Sequence, residues 1–269
     1  FTTAPIDLQS LNTSLYNEVR MVGNFDCVGI NCPSMNDWTL EWSEGFDVSG
    51  RAYEYDGTAS TTSGTVAVAV NGVLQIGKTG TILANGTWTI NNVTFYAGDT
   101  ITVFVDGATD TNEAVGVTTY DGTPDITGMR LQKRHISIGS DDYAVVDNTD
   151  VGEYDFTDDE DLFFDVNVGN DLDVCATTGC FDASLRILPR NTYSPGSGGE
   201  VLTHDLRNDG TFIPGSNTVR LYGSWDNNAT TTMTGSTLLF TATTSTETLD
   251  QTGAITTAYN NVTFGEGSG

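Results

Sequence analysis

Lysine, histidine and long apolar runs are what this sequence has least of. Ten Lys and Arg stand against 36 Asp and Glu, for a formal net charge of −26, and the only lysines are Lys78 and Lys133. Such a surface repels nucleic-acid phosphates and anionic membranes, which sets both aside as partners. No run of apolar residues approaches a bilayer's thickness, so membrane insertion is not expected either. A nucleophile triad needs a histidine, and there are two, His135 and His204, with no G-x-S-x-G elbow anywhere. His135, in the basic island RLQKRHISIG, reads as a surface or edge residue, and His204 as an outward-facing strand residue. Carboxylates are too common for any pair to stand out as a glycosidase dyad. The expectation is that the protein is not an enzyme.

Cysteine is nearly as scarce. The four fall in two pairs, Cys27 with Cys32 and Cys175 with Cys180, each with four intervening residues. Zinc sites use shorter spacings and recruit histidine, and thioredoxin-like motifs want two intervening residues. Two local disulfides are the economical reading, and they place the chain outside the cell or on its surface.

Threonine, glycine, asparagine, aspartate and serine make up much of the rest. Threonine suits pleated surfaces and the others suit turns. The stretch GTWTINNVTFYAGDTITVFVDG, residues 86–107, alternates apolar and polar side chains between Gly-Asp and Asp-Gly turns. That period predicts half-buried antiparallel strands in a sandwich, with Val66, Val68, Val70, Trp88, Ile90, Ile101, Val103 and Val105 inward. The one plausible helix covers residues 14–22. The predicted fold is all-β: a prealbumin/Ig-like β-sandwich, then further β structure ending in a β-solenoid-like unit. Four segments follow: 1–47 with a local disulfide and a possible donor strand, the sandwich at 48–107, an acidic β-rich region at 108–190, and solenoid-like repeats at 191–269. Fourteen acidic residues and no Lys or Arg lie between positions 141 and 182.

SGRAYEYDGTASTTSGTVAVAVNG, followed by ANGTWTI and AGDTITVFVDG, resembles the prealbumin-like, carboxypeptidase-regulatory-like β-sandwich repeat of large bacterial surface and secreted proteins. That resemblance covers residues 48–107, implies a structural or adhesive module, and transfers no catalytic residue. GSWDNNATTTMTGSTLLFTATTSTETLD is similar to the degenerate repeats of very large bacterial surface proteins.

The C-terminal part also repeats internally. At an offset of nineteen, LRNDGTFIPGSNTVRLYG (206–223) lies over WDNNATTTMTGSTLLFTA (225–242), matching Asn208 to Asn227, Thr211 to Thr230, Thr218 to Thr237, Val219 to Leu238 and Leu221 to Phe240. A third copy ends at NNVTFG (260–265). Such a period in strand-rich sequence predicts stacked coils. A coil with an unpaired edge invites another chain's strand. Ile6, Leu8 and Leu11 could supply that strand, and Val262 and Phe264 could receive it from a sister copy.

Calcium is the cofactor that the carboxylates suit, since a hard cation gathers six to eight oxygens. The candidate ligands are Asp106, Asp110, Asn112 and Glu113 in DGATDTNE, and Asp158, Asp159 and Asp161 in TDDED. Sequons at Asn12, Asn85, Asn92, Asn228 and Asn261 would permit glycosylation. Tyr53, Tyr55, Phe95, Tyr96 and Phe104 would make a sugar platform if exposed. The leading expectation is a subunit of an extracellular filament built head-to-tail from copies of itself by strand complementation. The alternative is an adhesin or glycan-binding module of a larger surface protein.

Overall fold

A computed structural model describes residues 45–60, 63–109, 111–123, 125–141, 143–175, 182–241, 248–257 and 259–265, all inside one compact unit, Ser43–Gly269. Ile6, Leu8, Leu11, Asn12, Cys27, Cys32, Asp110, Cys180 and the helix expected at 14–22 lie outside the described residues. Cys175 is disulfide-bonded. Apart from one short helix, all the regular secondary structure of the described residues is strand.

Seven strands come first: β1 (Phe46–Tyr53), β2 (Thr65–Val70), β3 (Val73–Thr81), β4 (Thr87–Val93), β5 (Thr100–Asp106), β6 (Val115–Thr119) and β7 (Ile126–Gln132). One sheet has the order β4-β1-β7, with β1 antiparallel to β4 and parallel to β7. The facing sheet runs β3-β2-β5-β6. Between them Val66, Val68, Val70, Ile101 and Val103 pack with Trp88, Ile90 and Met129. Gly50 is required where β1 passes β7, because a Cβ there would lie 2.0 Å from the Met129 carbonyl oxygen.

Half-burial, expected from the alternation, is not what β2 and β5 show. Ala67, Ala69 and Phe104, on the opposite face, are buried in a second core. The acidic segment supplies its cover. Val151, Tyr154, Leu162, Phe163 and Phe164 turn inward, and the Phe104 and Tyr154 rings sit 5.7 Å apart. In that segment Asp147 caps the short helix α1 (Asn148–Val151), its carboxylate accepting from the Asp150 backbone while Asp150 answers to the Asp147 N–H. The reciprocal Asp-x-x-Asp spacing was the available sequence signal for this helix.

The sheets do not end at residue 107. Strand β6 is antiparallel to β5 but parallel to β8 (His135–Ile138), so the facing sheet passes from hairpins into coils. Each later coil lays one strand on each of three parallel sheets. The strands are β9 (Val145–Val146), β10 (Asp165–Val166), β11 (Leu172–Asp173), β12 (Ser184–Ile187), β13 (Thr192–Tyr193), β14 (Glu200–Thr203), β15 (Leu206–Asn208), β16 (Thr211–Phe212), β17 (Thr218–Leu221), β18 (Trp225–Asn227), β19 (Thr230–Thr232), β20 (Thr237–Phe240), β21 (Leu249–Gln251), β22 (Ile255–Thr257) and β23 (Asn261–Phe264). The orders β8-β12-β15-β18-β21, β9-β13-β16-β19-β22 and β11-β14-β17-β20-β23 are parallel throughout.

The nineteen-residue offset appears as real register. Asn208 stands beside Asn227, Thr211 beside Thr230, Thr218 beside Thr237, Val219 beside Leu238 and Leu221 beside Phe240. Inward positions stack like on like, with the Tyr193 and Phe212 rings parallel at 5.7 Å. Full burial of such a side chain stabilises by roughly 1.5–3 kcal/mol. Asn208, fully buried, donates to the Asn227 Oδ1 (2.7 Å) and the Thr230 carbonyl (2.9 Å), and accepts from the Gly210 N–H (3.1 Å).

Candidate anion-binding face

Scarce cations are not scattered over this molecule. Arg51, Arg130, Lys133, Arg134, Arg186 and Arg207 form one connected patch on the outside of β1, β7, β8, β12 and β15, six of the ten Lys and Arg in the chain. Parallel register assembles it. Arg51 lies opposite Arg130 across β1 and β7, and Arg186 lies beside Arg207 across β12 and β15. Like charges side by side on a sheet are destabilising. Asp209 answers one of these pairs, accepting from Arg186 at 2.7 Å and Arg207 at 2.9 Å. Burial alone would raise the Asp209 carboxyl, but the Arg207 hydrogen bond and the two guanidinium charges hold it below its ordinary value.

Arg130 has no carboxylate within hydrogen-bond distance among the described residues, and Asp209 acts on it only through space. Its Nε donates 2.9 Å to Oε1 of Gln132, and Arg186 Nη1 reaches the same oxygen at 3.3 Å. Two guanidinium groups thus share one neutral amide. The Arg130 guanidinium lies 3.6 Å from the centroid of Tyr53, which fixes its plane by a cation–π contact. Desolvation, then repulsion from Arg186, pushes the Arg130 pKa down to about 10. Burial also lowers that of Arg186, whose buried Nε has no hydrogen-bond partner among the described residues.

Gln132 donates from Nε2 to the Tyr55 carbonyl at 2.8 Å, tying the turn after β1 down onto the patch. Tyr55 covers His135 at 5.3 Å, with its hydroxyl directed to Ser184, and remains 41% exposed. His135 is therefore not the edge residue the sequence predicts. It opens a strand flanked by β6 and β12, its Nδ1 faces the Lys133 carbonyl at 2.8 Å, and burial pushes its pKa down to about 4. His204 is half-buried beside Asp205, at 3.2 Å. Tyr53 and Lys133 also line a cleft of about 280 Å³ with Ser60, Asp106, Thr109 and Asn112.

The other candidate residues are distributed differently. Of the sugar platform, Phe95 and Phe104 are buried in core and only Tyr53, Tyr55 and Tyr96 reach the surface, Tyr96 being 65% exposed. Asp106 and Asp161, from the two acidic clusters, come together: Asp161 Oδ2 accepts the Gly107 N–H at 2.7 Å, and its pKa is raised by burial and by Asp159 and Asp106. Asp159 takes the Tyr154 hydroxyl and the Asp161 N–H, while Asp158 takes the Asp155 N–H. Glu113 is buried, and Asn112 Nδ2 donates to Thr109. Among the described residues no three His, Cys, Asp or Glu converge as a metal site.

Asn85, Asn92, Asn228 and Asn261 are all exposed, though the Asn228 amide is held between Asp209 and Thr252. Val262 packs partly against the coil core, and Phe264 stacks on Phe240 at 5.1 Å while staying 73% exposed.

No protein-family model matches the chain, and no curated protein matches it either.

Sequence reasoning noticed the RLQKRH island but not the patch. Arg186 and Arg207 join it from 54 and more residues away, through parallel pairing that no local motif announces.

Proposed function

We propose that this protein is a non-catalytic extracellular binding module, in which stacked coils and a sandwich form a rigid backing for a cationic, aromatic face that holds a surface glycan. The observation that carries this reading is the pair Arg130 and Arg186 on the single oxygen of Gln132, in a chain with 36 carboxylates. A protein so rich in Asp leaves the Arg130 guanidinium hydrogen-bonded to a neutral amide, beside an Arg186 whose carboxylate Asp209 is shared with Arg207, at a stability cost that is recovered when a ligand arrives. Tyr55, whose carbonyl the same Gln132 amide holds, offers a partly exposed aromatic ring. Titration of the full chain with oligosaccharides should give saturable binding that weakens several-fold in Tyr55→Ala. Failure of every sugar to bind at millimolar concentration would end this reading.

A second reading, the head-to-tail filament, draws on the last coil. Strands β21, β22 and β23 are the outermost members of their sheets among the described residues, and Leu249 and Phe264 are exposed there. In the sheet that ends at β21 the opposite edge is guarded: Gln75–Lys78 bulges out of β3 against Val68, which discourages strand addition along that side. Pairing on that sheet would then be one-ended, with the segment of Ile6, Leu8 and Leu11 from a sister copy added to the last coil. Light scattering at rising concentration tests it: the intact chain forms growing oligomers, and a chain lacking residues 1–12 stays single. A full-length chain that remains monomeric removes the idea.

A further inference from the structure

We infer that the cationic face takes an acidic sugar, whose carboxylate or sulfate group seats on the free edge of the Arg130 guanidinium beside Arg186 and whose ring lies against Tyr55. The inference rests on the binding-module reading and adds the ligand's chemical class.

Hydrogen-bond bookkeeping around the patch points to an oxyanion. Asp209 is already shared by Arg186, Arg207 and Asn228. Lys133 is matched by Glu54 at 2.6 Å, and Arg134 by Asp182. Arg51 is spent on the Asn85 carbonyl at 3.2 Å. Arg130 alone combines a fixed plane, an Nε held by Gln132 and two terminal nitrogens without a carboxylate among the described residues. A planar guanidinium with Nε occupied presents its two Nη groups as a fork, the geometry that pairs with a carboxylate or sulfate. Asp209 relieves the Arg186 and Arg207 pair within the fold, whereas Arg51 beside Arg130 has no carboxylate hydrogen-bonded between them among the described residues and is relieved by an added anion.

The sugar part of the inference stands on Tyr55. Its carbonyl is held by the same Gln132 amide that receives Arg130 and Arg186, and one side of its ring is spent on His135, yet two-fifths of the residue stays exposed. A ring beside a fork suits a saturated ring that bears an acid. The chain's net charge of −26 repels long polyanions, so a short acidic oligosaccharide is the ligand that reaches the patch.

The experiment is a calorimetric titration of the full chain, at about 50 and about 500 mM salt, with trigalacturonate, a sulfated galactose trisaccharide, neutral galactotriose, sodium acetate and sodium sulfate. One or both acidic sugars should bind saturably and more weakly at high salt, while galactotriose and the free anions bind at least about tenfold more weakly. Arg130→Gln should cost about tenfold or more, and Arg130→Lys, which keeps the charge but loses the fork, should fall between. Tyr55→Ala, at an exposed position, provides a second variant whose folding is not at issue, and should cost a few-fold. Equal binding of galactotriose, unaffected by Arg130→Gln, overturns the acidic class while leaving a glycan-binding module in place. Acetate or sulfate binding as tightly as the trisaccharides overturns the sugar, and no binding by any compound overturns both readings.

Discussion

Replacing Asn208 is the sharpest probe of the coils. The side chain is fully buried and makes four polar contacts, donating to Asn227, the Thr230 carbonyl and the Thr231 hydroxyl and accepting from the backbone of Gly210. Asn208→Leu keeps the volume and removes all four. An orphaned buried donor or acceptor costs about 1–3 kcal/mol, and the added apolar contact recovers part of that. Relaxation of the Thr230 carbonyl recovers more, so a net loss of about 3 kcal/mol is expected. Urea denaturation should show it as a lower midpoint with an unchanged slope, since the surface exposed on unfolding is the same. Asn227→Leu should cost less, because its Nδ2 has no partner among the described residues. If Asn208→Leu is neutral or stabilising, the reasoning that the buried Asn208 hydrogen bonds hold neighbouring coils together is refuted.

Gly50→Ala should destabilise by several kcal/mol or prevent folding, because its Cβ would collide with the Met129 carbonyl; solubility and circular dichroism report this. His135, with its folded pKa below the unfolded value, favours the folded state while neutral, so stability falls as pH drops from about 6.5 towards about 4, and His135→Gln should flatten that part of the curve. Asp150, Glu153, Asp161 and Asp165 have raised pKa values, chiefly from burial, and act in the opposite direction: ionised at neutral pH they destabilise the fold, and protonation relieves this as pH falls through their folded values. Asp161→Asn should therefore raise the melting temperature in chelator. The expectation that calcium binds the acidic cluster with Asp158, Asp159 and Asp161 predicts that added calcium raises it for the native chain and less for this variant; equal responses would dismiss Asp161 as a ligand.

Parts of this architecture are legible without coordinates. The offset between LRNDGTFIPGSNTVRLYG and its copy is visible because each coil must present the same inward positions, so apolar and amide residues recur at one spacing. Alternation in TVAVAVNG and DTITVFVDG announces strands for the same local reason. What faces the other side of a strand is not local. Phe104 reads as outward until Tyr154, fifty residues on, is folded over it.

The sequence by itself determined that the protein is all-β and that its C-terminal strands stack in a given register, because both follow from short-range periodicity. Only the tertiary structure decided which side chains share a surface. Parallel pairing of β1 with β7 in one sheet, and of β8 with β12 and β15 in the other, brings arginines distant in sequence together across the two sheets, where Arg130 and Arg186 meet on Gln132. A parallel neighbour is chosen by the long crossover between strands, and residues within a strand carry no record of it.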